Sequence, residues 1–424
     1  MSGERRVSSM RVRGRHRVNS VRGERRIRCA LLAWHRFEWL CEACLRSPGL
    51  EVAALDTRVL GLPDLHNPFV LPTVQRAEVV LLSTAWYEWL SASHPQRVEE
   101  ILTRLEGCAK VLVGVESHDD LRLSLPPQAI ARMACVLKGG GLYRDRELYN
   151  HDLGPRFPGA LWSERQRPRE HPYAPGDLRK LRLSIPCFLW VAPGARRSLR
   201  AARDDLGFLP RLARDAGERL LRPALAVAAG GRRPHEVHCV GRLTHIQRLQ
   251  ALRLLDGFSG RRGITAVPEH VSGRAAAEPF WHGKALAPPE RLRLQRTAQQ
   301  YMTAPVNRLA FQLELRRHRI VFAPTGHGEL TYRHMEALAA GALLVCQDLR
   351  HAEIMFPFEN RRNVLFCRPD LSDLSSIVRE ALLDDGLRAR LGREGRRAYA
   401  AWAARWREHL SRGIEAPIRE ALRS

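Results

Sequence analysis

The chain has no apolar run of about 18 or more residues, so nothing in it reads as a membrane-spanning helix. Its first residues lack the compact apolar stretch of a secretory leader, and the expected location is the cytoplasm. Lysine is scarce, found only at Lys110, Lys138, Lys180 and Lys284, so arginine carries almost all of the formal net charge of +24. Cys41 and Cys44 form a CxxC within FEWLCEACL, where a spacing of three simply shares one helix face. No second ligand pair at similar spacing accompanies it, which removes the basis for a zinc site. Cys29, Cys135, Cys187, Cys239, Cys346 and Cys367 fall inside apolar runs, as small buried hydrophobes do in a reducing compartment, and disulfides are not expected. Neither a carboxylate motif for a divalent ion nor an aromatic-interleaved basic stripe is present, so specific nucleic-acid binding would rest on charge alone.

What remains is a long, well-filled chain. At 424 residues and 45% hydrophobic composition it exceeds one ordinary core and suits two. The basic charge is concentrated only near the start, where Arg5, Arg6, Arg11, Arg13, Arg15, Arg17, Arg22, Arg25 and Arg26 face Glu4 and Glu24. Residues 1–26 have almost nothing apolar to bury and read as a disordered basic tail. Such a tail suits peripheral contact with an anionic membrane at its inner face.

From Ile27 onward apolar strand-like runs alternate with helical ones, the pattern of an α/β domain with a mostly parallel sheet. Strands are expected at 27–34, 50–56, 77–84, 109–116, 134–140 and within 181–193, with helices at 36–46 and 95–106. Residues 151–180, rich in Pro, Arg and Gly, read as a surface excursion, and 194–234 as a helical connector ending in GGRRP. A second alternating series follows: strand 235–243, helix 245–256, strand GITAVPE, a helical region from Pro289 to His318, strand 319–325, helix 330–340, and strands 342–348 and 363–370. The fold class is α/β, with two Rossmann-like lobes whose parallel sheets face each other across a cleft. The divisions are a tail at 1–26, a first lobe at 27–230, a second at 231–385 and C-terminal helices at 386–424.

The informative stretch is RIVFAPTGHGELTYRHMEALAAGALLVCQD, residues 319–348. A buried strand runs into Thr325, Gly326, His327 and Gly328, and a helix is expected directly afterwards. Glycines there let the backbone approach a ligand, and helix amides favour an anion such as a diphosphate. Glu329, Arg333 and Glu336, at i, i+4 and i+7, are expected on one face of that helix, with Tyr332, Met335, Leu338 and Ala339 on a face against the sheet.

This segment resembles the donor-binding core of the two-Rossmann-lobe (GT-B) glycosyltransferases, especially the group 1 transferases related to spore-maturation-type enzymes. The resemblance is carried by Pro324, Gly326, Gly328, Glu329, Arg333, Glu336, Ala337 and Gly341, and by CVGRLTHIQRLQAL at 239–252. It covers roughly residues 235–400. One departure is that Glu329 and Glu336 stand six residues apart in between, where the better-known family pattern has seven.

The resemblance implies a metal-independent transfer of a sugar from a nucleotide-sugar to an acceptor hydroxyl, with no further cofactor. Gly241, Arg242, Arg248, Thr325, Gly326, His327, Gly328, Arg333 and Glu336 are the expected donor-binding residues. Glu329 matches the family's first glutamate. His118 or Asp119, in the polar cluster after the strand at 109–116, is the expected base on the acceptor side if the reaction inverts configuration. The acceptor implied is a glycan, a lipid-linked or a small-molecule hydroxyl, as in cell-envelope polysaccharide assembly. Two other readings stand beside this one: a nucleotide-sugar-binding protein without turnover, and a basic nucleic-acid-binding protein.

Overall fold

The computed structural model describes residues 25–33, 39–56, 70–116, 121, 123–152, 167–186, 233–243, 247–266, 293, 296–306, 308–325 and 328–424. Residues 1–24 of the basic tail, residues 194–232 of the connector expected at 194–234, and the first-lobe acceptor residues His118 and Asp119 lie outside the described residues, as do Gly326 and His327.

Two parallel sheets form the framework. The first has the order β2-β1-β3-β4-β5-β9, from β1 (Ile27–Ala33), β2 (Leu50–Asp56), β3 (Val79–Ser83), β4 (Val111–Glu116), β5 (Cys135–Lys138) and β9 (Leu181–Leu183). The second has the order β11-β10-β12-β13-β15, from β10 (His235–Arg242), β11 (Gly260–Ala266), β12 (His318–Ala323), β13 (Leu343–Gln347) and β15 (Leu365–Cys367). Every neighbouring pair in both sheets is parallel. These are the two Rossmann-like lobes.

The strands are continuous apolar runs because both of their faces are covered. In β1, Leu31 and Ala33 turn to one apolar cluster and Ala30 and Leu32 to another; in β12, Val321 and Ala323 alternate in the same way with Ile320 and Phe322. The cluster holding Leu31 also holds Val321, Met335, Trp402, Leu410, Ile414 and Ile418, so one core runs through both lobes and the C-terminal helices. Those helices are Leu374–Leu383, Asp385–Ala404, Trp406–Leu410 and Ala416–Ala421, with a π turn at Ser411–Glu415. The last of them returns to the first lobe, where the Gly49 amide donates to Glu415 Oε1 at 2.8 Å and Arg182 pairs with Glu420 at 3.0 Å.

A small antiparallel pair, β6 (Leu142–Tyr143) with β14 (Ala352–Glu353), stitches the lobes together next to the strand ends. The described parts of the excursion, 151–152 and 167–180, carry regular structure. β7 (His151–Asp152) pairs with β8 (Arg167–Pro168), and the buried Tyr173 donates its hydroxyl to Leu125 O at 2.8 Å.

Two expectations need correction, and one helix was not expected. The region from Pro289 to His318 is not one helix: Tyr301 to Thr303 runs extended beside β11, with Ile264 N donating to Tyr301 O and Thr303 N to Ile264 O, and the helix proper is Arg308–Arg317. A helix at Thr84–Ser93 follows β3 at once, its start capped by the Ser83 hydroxyl, which accepts from Trp86 N at 3.2 Å. The helix of the informative segment starts only at Tyr332, because Thr331 is its N-cap. Glu329 therefore lies in the preceding loop and not on the helix face with Arg333, while Tyr332 is 41% exposed and not in the buried face against the sheet. Among the described residues no helix is long and apolar enough to cross a membrane.

Candidate functional site

In an open parallel sheet the strand order reverses at one place, and the loops that leave the strands there diverge to opposite faces and open a crevice. In the second sheet this place lies between β10 and β12. The segments leaving those two strands are Leu243 onward and Pro324 onward, so Gly241, Arg242 and Arg248 stand on one side of the crevice and Thr325 and Gly328 on the other.

Arg248, on the helix Gln247–Leu254, bridges the two. Its Nη1 donates to Arg242 O at 2.6 Å and its Nε to Thr325 O at 3.3 Å, while Nη2 bonds to no described residue. Burial pulls its pKa down to about 10, with the nearby Arg333 adding to the effect. A side chain at position 241 would collide with this guanidinium, since a Cβ there lies 2.5 Å from Arg248 Nη1. The glycine is thus what allows the arginine to cross over β10. The Arg242 side chain itself is exposed.

Arg333 and Glu336 sit together on the helix Tyr332–Ala340, with Arg333 Nη1 donating to Glu336 Oε2 at 2.9 Å. Arg333 also donates through Nη2 to Val240 O at 3.0 Å and lies 4.0 Å over the Phe311 ring. Both side chains are half-buried, so this is not a solvated helix face laced by surface pairs. Gly341 ends the helix in the left-handed region at φ 65°, a conformation that costs a glycine nothing. His334, fully buried beneath, accepts from Thr331 N at 3.1 Å through Nδ1. Burial drives its pKa down to about 4, and it is neutral at pH 7.

Behind Thr325 lies a buried polar group that sequence reasoning missed. Thr325 N donates to Gln347 Oε1 at 2.9 Å and its hydroxyl to Gln247 Oε1 at 3.1 Å. Gln347 Nε2 donates to Gln247 Oε1 at 2.7 Å, and both amides also reach Pro369 O at 2.8 Å. Three strand ends and one helix start are thereby held in register, which fixes where the loop after Thr325 begins. The sequence signal was a glutamine closing the otherwise apolar run ALLVCQ.

The first lobe meets this site at its strand ends. Leu121 N donates to Glu329 Oε2 at 3.3 Å, so the segments that leave β4 and β12 touch, and Glu329 is a buried link between lobes. A second group missed from the sequence is the pair Glu116 and Lys138, both fully buried, with Oε2 3.6 Å from Nζ. Glu116 Oε1 accepts from Ser124 N at 2.8 Å and Leu125 N at 2.9 Å, which anchors the far end of the segment bearing His118 and Asp119. Among the described residues no group of three or more His, Cys, Asp or Glu side chains is placed to hold a metal ion.

Residues 250–411 match the glycosyl transferase-like family. The chain is similar in structure to HepE from Anabaena in complex with UDP-glucose, at 10% identity over 92% of this chain and 100% of that one, with a TM-score of 0.47. It is likewise similar to a glycosyltransferase from Rickettsia africae, at 10% identity over 94% and 99% of the two chains and a TM-score of 0.49. A UDP-forming α,α-trehalose-phosphate synthase from Burkholderia xenovorans gives 14% identity over 94% and 99%, with a TM-score of 0.45. No curated protein sequence matches the chain.

Proposed function

We propose that the protein is a glycosyltransferase that seats a nucleotide-sugar at the reversal between β10 and β12 and transfers its sugar to an acceptor hydroxyl. The observation that carries this reading is the convergence of Arg248, Thr325, Arg333 and Glu336 at that reversal, within the family-matching region or at its border.

The chemistry follows from charge. As the bond between the sugar C1 and the diphosphate oxygen breaks, negative charge builds on the leaving diphosphate and positive charge on the ring. Arg248, through its remaining Nη2, and Arg333 meet the first charge, and the Gly328 amide adds a neutral donor. Glu336 accepts from the ribose hydroxyls. The acceptor oxygen forms the new bond to C1 and gives up its proton, to His118 or Asp119 if configuration is inverted. Divalent metal is not required in this scheme. The acceptor class we favour is a glycan or a lipid-linked hydroxyl of the cell envelope, reached from the cytoplasmic face, with the basic tail resting on anionic lipid.

The test is a panel of nucleotide-sugars scored by thermal stabilisation, since a ligand at 100 times its dissociation constant adds roughly 2.7 kcal/mol to the folded state. A donor that stabilises the chain should also release nucleoside diphosphate when an acceptor is supplied. Absence of stabilisation by every nucleotide-sugar and nucleoside diphosphate would remove the reading.

A further inference from the structure

At the opposite end of the second sheet from the donor site lies a cavity of about 730 Å³ that the reaction does not use. It opens where β12 and β13 begin, and its wall is the helix Asp385–Ala404. Arg233, Arg319, Arg388, Arg393 and Arg396 line it, and Asp385 is the one carboxylate among its described lining residues.

The arrangement is more than the general arginine richness of the chain. Asp385, Arg388, Gly392, Arg393 and Arg396 recur at helical spacing, so they form a single stripe aimed at the sheet edge. The floor is built from glycines: a Cβ at Gly392 would lie 2.8 Å from Gly341 O, so helix and turn touch backbone to backbone beneath the arginines. Arg233 is fixed in the wall, with Nη1 donating to His318 O at 2.7 Å and Nη2 to Ala340 O at 2.8 Å. Burial, together with Arg316 and Arg396, lowers its pKa to about 10. Arg388 is bonded to Asp385 and to Ala381 O and Leu382 O, so the lone carboxylate is already taken. The guanidiniums of Arg393 and Arg396 bond to no described residue. Like charges gathered in a recess repel, and with one carboxylate for five guanidiniums the charge is balanced only by an anion from outside.

We propose that this cavity binds a multiply charged phosphate group, gripped by the forked guanidiniums of Arg393 and Arg396 against the fixed Arg233. Planar guanidiniums match phosphate oxygens in pairs, and a volume of about 730 Å³ admits a diphosphate or the phosphorylated head of a lipid. Because the cavity stands at the amino ends of the strands and the donor site at their carboxyl ends, the two are separately occupied.

The experiment uses the full chain, the variants Arg393→Ala/Arg396→Ala and Arg248→Ala, and a control that loses the same charge elsewhere, Arg97→Ala/Arg104→Ala. Inorganic pyrophosphate is titrated calorimetrically, and cosedimentation is measured with vesicles of phosphatidylglycerol against phosphatidylcholine. Removing both cavity arginines should weaken one pyrophosphate site about tenfold or more, the scale of lost charge-assisted hydrogen bonds, while Arg248→Ala and the charge control retain it. Loss in the pyrophosphate arm alone identifies a free phosphate compound. Loss of phosphatidylglycerol binding that pyrophosphate competes away identifies a headgroup. Both affected residues are exposed, so a melting curve matching the parent is expected; if it falls, Arg396→Lys, which keeps the charge, should restore folding and binding together. Unchanged binding in both arms, or an equal loss in the charge control, overturns the proposal.

Discussion

Glu116 and Lys138 face each other in register at the carboxyl ends of β4 and β5, both without solvent exposure, carboxylate 3.6 Å from ammonium. Each compensates the other's charge in a place water does not reach. Lys138→Met strands the carboxylate and should cost about 3–5 kcal/mol in urea unfolding, whereas the double change Glu116→Gln/Lys138→Met should cost markedly less. A single-variant loss under about 1 kcal/mol would mean that the pair is not desolvated as described.

Arg248→Ala and Arg333→Ala should each weaken binding of a nucleoside diphosphate by about 1.5–3 kcal/mol, measured by calorimetry. Gly241→Ala is a finer probe. Its methyl displaces only the end of the flexible Arg248 side chain, so the fold should persist while nucleotide affinity drops. Full affinity in all three would detach the diphosphate from this crevice.

Glu336→Gln keeps the shape of the side chain and a hydrogen-bond acceptor for Arg333, but gives up the carboxylate. Near-native melting with a clear fall in nucleoside diphosphate affinity is expected. Unfolding would instead show Glu336 to be mainly the partner of Arg333.

His334 should make the protein acid-sensitive. Its pKa falls from 6.5 to about 4 on folding, chiefly through burial, so between those values the unfolded chain takes up a proton that the folded chain refuses. Stability is therefore complete above pH 6.5 and declines as pH falls toward 4, by on the order of 3 kcal/mol from this group. His318 and His351 shift in the same direction. Denaturant titrations at pH 7 and pH 4.5 should show a smaller acid loss for His334→Gln than for the parent; an identical loss would exclude His334 as a source.

The framework strands were legible because a parallel sheet covered on both faces leaves long apolar runs that polar loops interrupt. All six strands of the first sheet fall within segments read from that signal, as do β10, β13 and β15 of the second, while β12 begins one residue before its expected segment and β11 three residues before GITAVPE. The helix Thr84–Ser93 was hidden because TAWYEWL continues the apolar run of β3 with no polar break, and only the Ser83 cap marks the change. Glu329 was misplaced for the converse reason: its spacing to Arg333 and Glu336 suits a helix, but the threonine cap at 331 delays the start. Gln247, Gln347, Glu116 and Lys138 lie far apart in sequence and gain meaning only from strand order. Local patterns do not encode which strand ends become neighbours.

The shared core has a consequence for recombining such chains. Residues 405–424 straddle and run past the end of the family-matching segment, yet Glu415 holds Gly49, Glu420 holds Arg182, and Gly413 packs on Ser184 and Ile185. By contact they are the last piece of the first lobe. A chimera that exchanges first lobes to change the acceptor must therefore be cut twice, once in the connector before Arg233 and again near Arg405, so that the C-terminal twenty residues travel with the lobe they were made to fit.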